Sequence, residues 1–143
     1  MEITSVFEQE AVIPKRYTCD GENVNPPLEI KNLPENTETL VLIVDDPDAP
    51  SGDFVHWVVF NIPPREKIEE ATQPQGIAGK NDFNKLSYGG PCPPSGKHRY
   101  FFKIYALDCK LDLKQGATKQ DVEAEMEEHI IEQAQLVGLY FRE

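Results

Sequence analysis

Three polar residues lie in or beside runs of the sequence that are otherwise apolar, and together their side chains could bind an anion. His56 lies within "DFVHWVVFNIP", His98 begins "HRYFFKIYALD", and Asp46 follows the apolar run "LVLIV". The ring NH of an imidazole and the hydroxyl of Tyr100 can donate hydrogen bonds to a phosphate or carboxylate. A carboxylate such as Asp46 can fix the tautomer of an imidazole, or it can meet the ammonium group of a zwitterionic ligand. These residue types predict a small anion pocket.

The strands that must position these residues are predicted from alternation, because successive side chains of a strand point to opposite faces. Alternation places Asp46 and His98 on apolar faces near strand ends. The side chains assigned to the face of His56 are Phe54, Val58, Phe60 and Ile62. Trp57 is assigned to the opposite face, in the core or in a subunit contact. Because an unpaired polar group in a core is costly, the polar residues are expected to meet in a pocket; the alternative is that each histidine is buried and bonded to the backbone.

Prolines and glycines divide the chain into short elements, which predicts a mainly β protein. The 12 prolines and 9 glycines are spread between apolar runs, and runs bounded by turn residues are typical of strands. One helix is predicted over about residues 119–135, from the capping pair Thr118 and Asp121 and from apolar residues at intervals of four up to Ala134. A last strand, interrupted by Gly138, is expected after it. With 143 residues the chain fits one domain, 1–143, of two packed sheets with the helix at their edge.

Charge and cysteine content restrict the class of protein. Lys and Arg number 14 against 25 Asp and Glu, and the net charge of -11 repels nucleic acid and anionic membrane surfaces. No stretch approaches the about 20 apolar residues of a membrane span, and the amino terminus does not resemble a signal peptide, so a soluble cytoplasmic protein is predicted. The three cysteines, Cys19, Cys92 and Cys109, do not indicate a disulfide framework. Reduced thiols are therefore expected, with at most one bridge.

Four stretches of the sequence resemble the phosphatidylethanolamine-binding protein (PEBP) family, which includes the Raf kinase inhibitor proteins. They are "YTCDGENVNPPLEI", "DDPDAP", "FVHWVVFNIP" and "GPCPPSGKHRY", and they follow one another over most of the chain. The length is similar to that of the bacterial and archaeal branch. The resemblance implies a β-sandwich with a small anion pocket.

The resemblance also assigns pocket residues. Asp46 matches the first aspartate of the family's Asp-Pro-Asp-Ala-Pro, His56 its pocket histidine, and His98 with Tyr100 its His-x-Tyr pair. The rim of the pocket would be formed by Pro94, Gly90 and Cys92. The resemblance further makes the Asp46–Pro47 peptide bond a candidate for the cis form.

Two features depart from the family pattern. Phe54 stands where several eukaryotic relatives have tryptophan, and no helix is expected after Phe141. The headgroup and kinase specificity of those relatives therefore does not transfer to this chain.

Three classes of function follow from these observations. The first, which we predict, is binding of a small anionic or phosphate-bearing ligand without catalytic residues, metal or cofactor. The second is regulation of a kinase or protease through protein contact at the pocket rim. The third is an enzyme that uses a metal at Asp46, His56 and His98, or the thiol of Cys92 with His98 as base, although no motif supports either. A homodimer is left open.

Overall fold

The computed structural model describes residues 1–143 and consists of two β-sheets and one α-helix. The strands are β1 (Glu2–Thr4), β2 (Ala11–Val12), β3 (Leu28–Lys31), β4 (Thr39–Asp46), β5 (Phe54–Ile62), β6 (Lys67–Ile68), β7 (Ile77–Ala78), β8 (Gly96–Leu107) and β9 (Ile130–Arg142). The helix α1 spans Lys119–Met126. None of the helical segments is long and apolar enough to cross a lipid bilayer. The predicted mainly β fold with two sheets and one late helix is confirmed.

The larger sheet positions the candidate site. It has six strands in the order β2-β9-β8-β4-β5-β7, and the smaller sheet has the order β1-β3-β6. Strand β4 pairs antiparallel with both β5 and β8, and all eight of its residues are buried. A strand covered on both faces has apolar side chains at successive positions, which explains the continuous run "LVLIV". The edge strands β2 and β7 have only two residues each.

The hydrophobic core forms two layers, one on each face of the larger sheet. The inner layer, between the sheets, has 19 buried residues and includes Tyr100, Phe102 and Trp57. The outer layer has 10 buried residues, and there Val122 and Met126 of α1 pack against β4 and β5. The helix therefore covers the outer face of the larger sheet, whereas the sequence placed it at the edge of the sandwich.

The predicted end of the helix at residue 135 is wrong. The capping box of Thr118 and Asp121 is present, but α1 ends at Met126 and the next residues enter β9. Ile130 and Ala134 belong to β9, where they pair with β8. An interval of four residues returns to the same face in a strand as well as in a helix, so the spacing did not distinguish the two. The last strand is longer than predicted for the same reason.

Gly138 does not end β9 but allows another segment to cross it closely. A Cβ atom at this position would lie 2.5 Å from Cγ1 of Ile13 and 2.8 Å from the ring of Phe7. Strand β2 pairs with β9 at Gly138. The missing side chain therefore lets the amino-terminal segment pack onto the larger sheet.

Candidate functional site

Asp46, His56 and His98 meet at the wall of one small cavity, where β4 ends and β5 and β8 begin. The cavity has a volume of about 250 Å³ and is lined by Asp46, Ala49, Pro50, Ser51, Phe54, His56, Phe83, Cys92, Pro93, Pro94 and His98. The exposed fractions of Asp46, His56 and His98 are only 3%, 3% and 7%. Among the predicted site residues, Cys92 and Pro94 also lie in this wall. The structure thus brings together five of the seven residues that the sequence singled out.

His98 and Asp46 form a buried hydrogen-bonded pair. Nδ1 of His98 lies 2.7 Å from Oδ2 of Asp46, while Oδ1 of Asp46 accepts a hydrogen bond of 2.8 Å from the backbone NH of Asp48. Because the carboxylate accepts, the proton of the imidazole lies on Nδ1. The carboxylate therefore fixes the orientation and tautomer of His98, and Nε2 is the ring nitrogen left for a ligand.

A second ion pair holds the turn that follows Asp46. The guanidinium of Arg99 donates to both carboxylate oxygens of Asp48 at 2.9 Å, and the backbone NH of Arg99 donates to the same carboxylate. These hydrogen bonds lower the pKa of Asp48 to about 2. Sequence reasoning missed this pair, although Asp48 and Arg99 both lie within two residues of a predicted site residue. Their contact keeps the wall of the cavity attached to β8.

His56 reaches the cavity because β5 has a bulge at this position. Val44 pairs with Trp57 and Asp45 pairs with Val55, so His56 is an extra residue opposite β4. The bulge breaks the alternation that the sequence analysis assumed. The residues after His56 therefore do not all lie on the face to which the sequence assigned them.

The residues assigned to the face of His56 separate onto both layers. Val58 and Phe60 belong to the outer layer, and Ile62 belongs to the inner layer. The ring of His56 instead contacts Tyr100, with ring centroids 5.3 Å apart. Simple alternation would have turned His56 toward the outer layer with Val58, and the bulge returns it to the cavity.

The loop that faces β5 determines the protonation of His56. Nδ1 of His56 lies 2.7 Å from the carbonyl oxygen of Gly89, and a carbonyl can only accept, so Nδ1 carries the proton. Burial lowers the pKa of His56 from its ordinary value of 6.5, and the bond to Gly89 opposes this effect only in part. The side chain is therefore neutral at pH 7, and Nε2 is an unprotonated nitrogen. Asn81 anchors the loop, because its amide donates to the carbonyl oxygens of His56 and Ser87.

Tyr100 lies beside the two imidazoles and does not line the cavity. Its ring is edge-on to His56 and stacked on His98 with a centroid distance of 6.4 Å. Its hydroxyl is the one buried side-chain polar atom without a hydrogen-bond partner. Burial and the negative charge of Asp46 raise the pKa of this hydroxyl. The carboxylate of Asp46 and the backbone of Cys92 lie near enough to influence this hydroxyl, so it is not isolated from polar groups.

The glycine of the predicted rim belongs to a neighbouring cavity. Gly90 lines a second cavity of about 250 Å³, which shares Phe83 and Cys92 with the first. The backbone NH of Gly90 donates to Oδ1 of Asn23 at 2.8 Å and is not free for an anion. A Cβ atom at Gly90 would lie 2.3 Å from the carbonyl oxygen of Tyr17, so the glycine allows the close approach of two loops.

The structure decides two points that the sequence left open, the pairing of the cysteines and the form of the Asp46–Pro47 peptide bond. Cys92 forms a disulfide with Cys19, whose Cα atom lies 5.5 Å away, and Cys109 is the free cysteine. The sequence allowed at most one bridge, and the structure has this one, so reduced thiols hold only for Cys109 and a nucleophilic thiolate at Cys92 does not fit this structure. The 73 residues that separate the two cysteines explain why their spacing carried no signal. The Asp46–Pro47 bond is trans, since no cis peptide bond is present.

The fold and cavity define a class of protein, the two-sheet β-sandwich with a small cavity at the strand ends. The family model described as phosphatidylethanolamine-binding protein matches residues 3–141, and the chain belongs to this family. A UPF0098 protein of Pyrococcus abyssi is 50% identical over 152 residues, which cover 99% of this chain and 85% of that protein. A UPF0098 protein of Methanothermobacter thermautotrophicus is 52% identical over 146 residues, which cover 97% of each.

Two crystal structures have the same fold. A PEBP homolog from Chlamydia trachomatis superposes with a TM-score of 0.95 at 39% identity, covering 99% of this chain and 97% of the other. YbcL of E. coli, described as a member of the mammalian PEBP family, superposes with a TM-score of 0.91 at 28% identity, covering 99% and 98%. Family membership extends over almost the whole chain.

Proposed function

We propose that this protein binds a small anion or the phosphoryl part of a headgroup in the cavity of Asp46, His56 and His98. The observation that carries the proposal is that two buried imidazoles line one cavity, while their Nδ1 atoms are already bonded to protein acceptors. Each imidazole has Nε2 left for a ligand. When a ring takes up a second proton, its Nε2 can donate a hydrogen bond to an acceptor oxygen of a phosphate, and Tyr100 packs beside both rings.

The size of the cavity favours a small ligand. Its volume of about 250 Å³ is about that of eight water molecules in the liquid, and pockets for drug-sized ligands begin at about 300 Å³. A phosphate or a phosphoethanolamine fits this space, whereas the acyl chains of a lipid do not. The apolar side chains of the wall, such as Phe54 and Phe83, remove water from the bound ion, which strengthens each hydrogen bond to it.

Asp46 has a supporting role in this proposal. Both of its oxygens accept hydrogen bonds from the protein, one from His98 and one from the backbone of Asp48. The carboxylate therefore orients His98 and compensates the charge of a protonated ring. Regulation of a kinase or protease by contact at the rim of the cavity stays a prediction, since no observation on this chain favours it over ligand binding.

The test is a binding series with inorganic phosphate, sulfate, acetate and phosphoethanolamine, measured by isothermal titration calorimetry and by the histidine signals in NMR. We expect one site per chain and loss of binding in His98→Asn, because asparagine keeps the donor to Asp46 but lacks a ring nitrogen for the ligand. The matched control is Ser87→Ala in the neighbouring cavity, which should bind as the unchanged protein does. Binding that survives in His98→Asn but is lost in Ser87→Ala would place the anion in the second cavity and refute the proposal.

A further inference from the structure

We propose that Asp108, Cys109 and His129 form a binding site for a divalent transition-metal ion of the zinc type. The site is independent of the anion cavity. Asp108 and Cys109 directly follow β8, and His129 directly precedes β9. His98 lies ten positions before Asp108, and because a strand rises about 3.3 Å per residue, the two sites are about 33 Å apart.

The ligand atoms of these three side chains are already close together. One nitrogen of His129, the sulfur of Cys109 and one oxygen of Asp108 all lie within 4.8 Å of one another. In a tetrahedral zinc site with bonds of about 2.0 to 2.3 Å, the ligand atoms are about 3.3 to 3.8 Å apart. Small rotations of the exposed side chains of Asp108 and His129 would therefore complete the geometry.

The backbone around the three residues is fixed by hydrogen bonds. The NH of Asp108 donates to the carbonyl of His129 at 3.0 Å, and the NH of His129 donates to Met126 at 2.9 Å. The hydroxyl of Thr39 donates to the carbonyl of Cys109 at 2.6 Å. The ligands are thus held by the ends of two paired strands, so little conformational entropy is lost when a metal binds.

The charge of the cluster favours a cation. The imidazole of His129 lies 2.9 Å from the carboxylate of Asp108, so a cation bound here would meet a negative charge and a ring nitrogen together. A divalent ion would replace the thiol proton, since the metal bonds to sulfur as the thiolate and the proton passes to solvent. Sulfur and imidazole ligands suit zinc, cobalt or copper, whereas magnesium and calcium prefer oxygen. Three protein ligands leave the fourth position for water.

The experiment uses Co²⁺ as the probe, on protein with the Cys19–Cys92 disulfide intact and without added thiol. Cys109 is the only free cysteine, so an absorption band from thiolate to cobalt reports on this residue alone. We expect one equivalent of Co²⁺ to produce the band, Zn²⁺ to displace it, and Zn²⁺ to protect Cys109 from a thiol reagent.

Variants distinguish this site from others. Cys109→Ser should remove the band. His129→Asn should weaken metal binding by more than about tenfold, because loss of a residue that only orients a metal ligand already lowers the affinity about 10- to 100-fold. Glu128→Gln removes a negative charge next to His129 but no proposed ligand, and it should bind Co²⁺ as the unchanged protein does. His98→Asn should do the same, and loss of metal there would place the ion in the anion cavity. Absence of a thiolate band, or equal affinity in His129→Asn and Glu128→Gln, would overturn the proposal.

Discussion

Anion binding is expected to draw a proton onto His56, so the affinity should fall as the pH rises. Nδ1 of His56 already donates to the carbonyl of Gly89, and Nε2 can donate to an anion only if the ring carries a second proton. Burial lowers the pKa of His56 in the empty protein, and a bound anion raises it again by stabilising the cationic ring. Between these two pKa values, each anion takes up one proton as it binds.

The magnitude follows from this stoichiometry. One proton per anion makes the dissociation constant rise about tenfold for each pH unit, or about 1.4 kcal/mol, as long as the pH lies between the pKa values of the free and bound forms. The affinity reaches its limit at pH values below the pKa of the free form. Above the pKa of the bound form, the anion loses the hydrogen bond from Nε2 of His56.

The assay is calorimetry with sulfate, which keeps its own charge from pH 5.5 to 8, in two buffers of different ionisation enthalpy. The difference in apparent binding enthalpy gives the number of protons taken up. His56→Asn is the informative variant, because asparagine retains a donor to Gly89 but does not titrate; it should bind more weakly and show no uptake at this position. A pH-independent affinity in the unchanged protein would refute the reasoning, as would the same proton uptake in His56→Asn.

Three further predictions concern stability. Replacing Cys19 and Cys92 together by serine should lower the free energy of unfolding by about 4 kcal/mol, from the loop-closure entropy of a bridge across 73 residues, and an unchanged denaturant midpoint would contradict a formed disulfide. Thr118→Ala removes the capping box of α1 and should cost about 1 kcal/mol in urea unfolding, whereas Thr118→Ser, which keeps the capping oxygen, should cost much less. Because the pKa of His56 is lowered in the folded state, the unfolded chain takes up a proton first as the pH falls below about 6.5; stability should therefore decrease toward acid pH, and this component should be absent from His56→Asn.

The parts of the fold that the sequence predicted correctly are those where one physical signal acts alone. Burial on both faces explains the continuous apolar run from Leu40 to Val44 in β4, and alternation explains the buried face of β8 from His98 to Ile104. The predicted end of the helix was wrong because an interval of four residues fits both a helix and a strand. Ile130 and Ala134 have this spacing and belong to β9. Pairing with β8 decided between them, and such pairing depends on residues far away in the chain.

The site was predictable to a similar extent. Asp46 and His98 were placed correctly because β4 and β8 keep a regular register up to the cavity. His56 reaches the same cavity as Asp46 and His98, but the faces of its neighbours were wrong because β5 has two register shifts against β4, at His56 and between Val59 and Ile62, which cannot be read from alternation. The bond from His56 to Gly89 and the disulfide of Cys92 both depend on loops whose positions leave no periodic signal.

The proposed proton uptake at His56 would also remove the difficulty that a strongly acidic protein poses for the proposed anion binding. The net charge is -11 with the histidines neutral, and an anion that approaches alone meets this field at distances up to about 10 Å in 0.1 M salt. A monoanion that binds together with one proton leaves the net charge unchanged, so the long-range repulsion hardly affects the affinity. The repulsion remains in the encounter, because the proton joins only inside the cavity. Added salt should therefore speed association more than it changes the dissociation constant, and this difference separates a proton-coupled site from one that holds anions by fixed positive charge.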